Sequence, residues 1–154
     1  MGGQRGYSGH GERGHRGGGG PGGGSAAVKL SVQEEEQIRK AIGGDVALLV
    51  SLAEGLGPRL SEGRLTTSQI RSVYGMVKKM ELKGYELSKD DLVLLKPKLA
   101  YAARRRDDDG PKRLQAVLTY AIDCVLAKAA EAAFERFVDF FEAIVAYHQA
   151  AVEK

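Results

Sequence analysis

The chain has a single cysteine, Cys124, so no internal disulfide can form, and this usage fits a reducing cytosol. Apolar runs are short. None approaches the roughly 20 residues needed to span a bilayer, and the N-terminus lacks the apolar segment of a signal peptide. A cytoplasmic protein without a membrane partner is expected. Catalytic pairings are missing as well. Beyond the first 27 residues there is one histidine, His148, so no Ser-His-Asp or Cys-His arrangement can be assembled with it and Cys124. No phosphate-loop glycine pattern precedes a helix. The expected protein is not an enzyme and carries no cofactor.

Large apolar side chains are nearly absent from residues 1–27, which hold thirteen of the 21 glycines. Such a segment buries too little surface to offset its ordering entropy, and a disordered tail is expected. Residues 28–154 are long enough for one sizeable core. Charge is uneven too. Arg5, Arg13 and Arg16 face only Glu12 in the tail, leaving about +1 of the formal +3 for the rest. So small a net charge says nothing about nucleic acid; only a local patch can. Basic residues cluster at Lys78-Lys79 with Lys83, at Lys96 to Arg106, and at Lys112-Arg113.

Strand signals are scarce and the apolar spacing is helical almost throughout. It predicts an all-α, compact bundle of about five to six helices. Ser31 with Glu34 reads as a capping box opening a helix to about Ile42, and Asp45 can cap a second. Gly55, Gly57, Pro58 and Gly63 predict a loop. Thr67 or Ser68 caps a third helix, with Ile70, Val73, Tyr74, Val77 and Met80 inward, ending at Gly84. Asp90 or Asp91 opens a fourth that contains Pro97. It either kinks there or is divided by the proline, the kinked helix being favoured. Pro111 takes the first position of a fifth helix. The sixth runs from near Ala129 to about Val152, with a break expected between Ala127 and Glu131. Two adjacent apolar lines cross that last helix, one through Phe134 and Phe141, the other through Phe137 and Phe140. So wide a stripe belongs to a central helix, or to one that also meets another subunit.

Candidate sites are basic rather than catalytic. On the third helix Arg71, Gly75 and Lys78 share the face opposite the apolar stripe. A helical glycine costs about 1 kcal/mol relative to alanine, so its place between two cations suggests close approach of a phosphate backbone or a second helix. On the fourth, Lys98, Tyr101 and Arg105 fall at i, i+3 and i+7, where cations could bind phosphates and the ring could stack a base. The bland alternative is that these cations solvate exposed faces and Tyr101 packs inward. Asp107 to Asp109 could hold Mg²⁺, although consecutive acids usually form a solvated turn; no metal is expected. Cys124 reads as a small buried apolar residue, and His148 as a structural or interface residue.

Three stretches carry a resemblance. They are Thr67-Ser68-Gln69-Ile70-Arg71-Ser72-Val73-Tyr74, Leu95-Lys96-Pro97-Lys98-Leu99-Ala100-Tyr101-Ala102-Ala103-Arg104, and Phe140-Phe141-Glu142-Ala143-Ile144-Val145-Ala146-Tyr147-His148. In this order and spacing they resemble the small subunit of the type III-A CRISPR effector, the Csm complex, from about Leu65 to His148. The resemblance implies a non-catalytic RNA-binding subunit in antiviral defence. Copies would stack head to tail beside the ribonucleolytic backbone subunits and line the channel holding guide RNA and single-stranded target RNA. The cleavage carboxylates would belong to the backbone subunit. Arg71, Lys96, Lys98 and Arg104 match basic positions of the family motifs. Helical phase adds Lys78, Arg105 and Arg113. Pro97, Tyr74 and the Phe-Phe-Glu-Ala stretch look structural. Before Leu65 the sequence departs from the pattern. The competing reading is a helical oligomerisation or adaptor module that pairs its basic faces with acidic partners.

Overall fold

The computed structural model describes residues 27–105 and 107–153; apart from Ala27, the expected disordered tail lies outside the described residues. Six helices follow one another, α1 (Val32–Ile42), α2 (Val46–Glu62), α3 (Thr67–Lys83), α4 (Tyr85–Arg105), α5 (Asp109–Lys128) and α6 (Glu131–Val152), with no strand among the described residues. The all-α bundle expected from apolar spacing is the observed fold.

The starts of the first three helices are written locally. Ser31 and Glu34 form the expected capping box on α1, and Asp45 Oδ1 accepts the Leu48 N–H at the start of α2. On α3 the box is made by Thr66 and Gln69, one residue ahead of the expected cap. The side-chain oxygens satisfy backbone donors that have no partner within the helix.

The expected loop at Gly55 to Gly63 is not there. α2 runs through it, Pro58 included, and stops only at Gly63. The glycines serve packing instead of turning. A Cβ on Gly57 would lie 2.6 Å from His148 N and from Tyr147 C and Cβ, so the helix can approach α6 this closely only without a side chain. Gly63 and Gly110 meet in the same way: the Gly110 N–H donates to Gly63 O at 2.7 Å, and a Cβ on either would strike the other segment's backbone.

α4 also differs from expectation. It begins at Tyr85 instead of near Asp90, and continues through Pro97 without division. Glu131, from the first turn of α6, accepts the Tyr85 N–H at 2.8 Å, and the buried Ser88 hydroxyl donates to Met80 O at 2.9 Å. The start of this helix is therefore fixed by a carboxylate distant in sequence. Pro111 is the third residue of α5, still within the first turn, where its missing N–H leaves no bond unmade. The break between α5 and α6 falls where expected, at Ala129, whose φ of 52° turns the chain back.

α6 packs against all five other helices, most extensively against α2. Phe134, Phe137, Phe140 and Phe141 are all buried, Tyr74 meeting Phe141 edge-on at 5.7 Å between ring centres. Its wide apolar stripe is thus the stripe of a central helix, satisfied within the chain. His148 belongs to that interior: fully buried, its Nε2–H donates to Leu65 O at 2.7 Å and ties the α2–α3 connection to α6.

Candidate nucleic-acid interface

α3 and α4 form an antiparallel hairpin joined at Gly84, and most of the residues singled out by sequence lie on it. The inward stripe of α3 (Ile70, Val73, Val77 and Met80) is buried, which leaves Arg71, Gly75 and Lys78 outside. Arg71 is exposed and makes no ion pair among the described residues. A Cβ on Gly75 would meet nothing within 4 Å, so the surface between the two cations is open. Lys78 is engaged: it pairs with Glu81 at 2.5 Å and lies 5.7 Å from the Tyr74 ring centre. The hydrogen bond to Glu81 raises its pKa above the ordinary lysine value, so the ammonium stays charged.

α4 turns a different group outward. Its inner face holds Leu92, Leu95, Leu99 and Ala103. Lys98, Tyr101, Arg104 and Arg105 are exposed, none in an ion pair among the described residues. Tyr101 does not pack inward: it is 68% exposed, with the Arg105 guanidinium 5.9 Å from its ring centre. A cation near an aromatic face is an attractive pair, and most of the tyrosine stays exposed to water.

The remaining two candidates point elsewhere. Lys96 bridges to α5 through Asp123 at 2.6 Å. Arg113, on α5, is largely covered between Asp109 at 3.7 Å and Glu34 of α1 at 3.9 Å. Both charges are spent on holding helices together. Asp107 and Asp109 likewise pair with Lys112 and Arg113, and no cluster suited to a metal ion occurs among the described residues. Cys124 is half-buried, and desolvation raises the pKa of its thiol.

Some residues beside this surface are not among the interface candidates read from the sequence, although Ser68 is a possible cap there and Lys79 and Lys83 belong to a basic cluster. Ser68, Gln69 and Ser72 of α3 line an open groove of about 480 Å³ together with Lys98 and Arg105. Lys79 and Lys83 line its continuation along the hairpin. The available signal was their phase: positions 68, 72, 79 and 83 repeat at helical spacing on the flank of α3 that meets α4. Apolar residues also stand out in water here, Leu82 at 89%, Leu87 at 73% and Leu94 at 55% exposed.

The geometry defines a helical bundle whose distinctive exposed chemistry, cationic, aromatic and apolar, is concentrated on one hairpin. The family model for Csm2 Type III-A matches residues 44–154, and the chain belongs to that family. It is a small subunit of the Csm effector of CRISPR defence, a structural component that assembles with other Csm subunits. The match begins at Gly44, ahead of Leu65, and takes in all of α2, so the family pattern extends further toward the N-terminus than the resemblance from about Leu65 implied. No curated protein and no solved structure matches the chain. No described helix is long and apolar enough to cross a membrane.

Proposed function

We propose that this subunit binds RNA without catalysing its cleavage, its α3–α4 hairpin lining the channel that holds the guide RNA and the single-stranded target. The supporting observation is the exposed row Lys98, Tyr101 and Arg105, two unpaired cations with an open aromatic ring between them. Cations outside ion pairs gain most by meeting phosphates, because they give up no protein carboxylate and release condensed counterions. Arg71 and Arg104 extend the contact; Lys78, partly exposed and paired with Glu81, joins it at the edge. Lys96 and Arg113 support the helices that carry it. Neighbouring copies of this chain, placed side by side, would multiply a contact that is small on one copy. On this reading the protein works in the cytoplasm, in keeping with its single cysteine, and its described part acts as one bundle.

The test is a triple substitution, Arg71→Ala, Lys98→Ala and Arg105→Ala, measured in the assembled effector. Target RNA binding should weaken about equally for unrelated sequences, because base pairing with the guide reads the sequence. The log–log salt dependence should flatten by roughly 0.7–0.9 for each phosphate that no longer meets a cation. Unchanged affinity and salt slope in an intact complex would refute the reading. Failure of assembly alone would assign the hairpin to protein contacts, for which the exposed Leu82, Leu87 and Leu94 are suited.

A further inference from the structure

The groove between α3 and α4 has a composition that phosphate binding alone does not explain. Its floor is apolar, formed by Val73, Met76, Leu95 and Leu99. One rim carries cations, Lys98 and Arg105, and beyond Met76 the groove continues to Lys79 and Lys83. The other rim carries neutral hydrogen-bonding groups, Ser68, Gln69 and Ser72. The single acid on either lining, Asp91, is held by Lys83 at 2.7 Å.

Those neutral groups are available. Gln69 is oriented by the capping box, in which its Oε1 accepts the Thr66 N–H at 2.8 Å; the amide NH₂ is left to donate outward. The hydroxyls of Ser68 and Ser72 have no protein partner among the described residues and stand one helical turn apart, about 6 Å. That is the reach between neighbouring nucleotides of a strand. No aromatic side chain lines the groove, so it offers no platform for a base. Sugar and phosphate are what its walls can recognise.

We infer that the groove holds one nucleic-acid strand by its backbone and selects ribose over deoxyribose. Phosphates lie against Lys79, Lys98 and Arg105. The 2′-hydroxyls, each both donor and acceptor, meet Ser68, Gln69 and Ser72. This rests on the RNA-binding reading above and adds to it the chemical group that separates RNA from DNA. The cations act on either nucleic acid; the hydroxyl and amide row acts on RNA alone.

The full chain, titrated at low salt against labelled single-stranded RNA and DNA of one sequence, tests this by fluorescence anisotropy. RNA should bind more tightly, by about fivefold for each 2′-hydroxyl bond made. The double variant Ser68→Ala, Ser72→Ala should bring RNA close to DNA and leave the salt slope unchanged. The double variant Lys79→Gln, Lys98→Gln should weaken both and flatten the slope, with the RNA:DNA ratio preserved. Equal binding of RNA and DNA by the parent chain overturns the inference and leaves RNA binding standing. So does a ratio that survives removal of both serines. No binding of either strand at low salt overturns the groove as a site on the single subunit, while the triple substitution in the assembled effector still decides the RNA reading.

Discussion

Substituting Gly57 by alanine should destabilise the protein, while the same change two residues earlier, at Gly55, should stabilise it. Both glycines lie inside α2, and alanine there recovers about 1 kcal/mol of helix propensity. At Gly55 a Cβ meets nothing within 4 Å, so the gain is kept. At Gly57 it would meet His148 N and Tyr147 C and Cβ, each at 2.6 Å. Two of these three atoms are backbone, and no rotamer change moves them aside. α2 and α6 would have to separate along the most extensive helix–helix contact in the bundle. Overpacking of this kind costs about 1–3 kcal/mol, and rigid backbone on one side places it at the upper end. The net loss is about 2 kcal/mol, and the two variants should differ by about 3 kcal/mol. Urea unfolding followed by circular dichroism measures it. With slopes of about 1–3 kcal/mol/M, the midpoints should stand at least about 1 M apart. A Gly57→Ala protein with a midpoint equal to or above the parent's would refute the packing role of this glycine.

Phe141→Ala should cost about 3–5 kcal/mol, since the ring is fully buried against Tyr74, whereas Arg71→Ala should change stability by at most about 1 kcal/mol; denaturant titration of the pair checks both. The Lys83 hydrogen bond holds the Asp91 carboxyl below the usual aspartate value. The pair therefore favours the fold above the ordinary aspartate pKa and loses that effect as pH falls through the depressed value. In Lys83→Ala an NMR titration should find the Asp91 carboxyl back in the normal range. Ala129→Gly should raise stability by about 0.5–1 kcal/mol, because alanine at φ 52° is strained where glycine is not; an unchanged or lower melting temperature would refute this.

Where one stretch of sequence decides an element, the sequence could be read. The buried stripe of α3, the capping box of α1 and the phenylalanine lines of α6 all rest on neighbours within a turn or two. The misreadings share the opposite property. Gly57 looks like a helix breaker until α6 arrives against it, and Tyr85 has no reason to open a helix until Glu131 caps it from across the fold. The same holds at the candidate interface. Lys98 and Arg105 were legible from their spacing, but nothing near Lys96 or Arg113 announces Asp123 or Glu34 as partners. The groove was hidden because it needs two helices: Ser68 and Ser72 become rim residues only when α4 supplies the other wall.

The order of the helices bears on how the chain matures as it leaves the ribosome. All four phenylalanines lie in α6, and every other helix packs on it. A nascent chain that has emerged only through α5 has the walls of its interior without the filling. Its five helices carry much of the aliphatic core, but without α6 those faces lack the four aromatic rings they close upon. Completion of the fold therefore waits for translation of the last helix, and Tyr85 waits for the Glu131 cap carried at the start of that helix. The candidate interface on α3 and α4 would thus reach its final geometry only once α6 is in place.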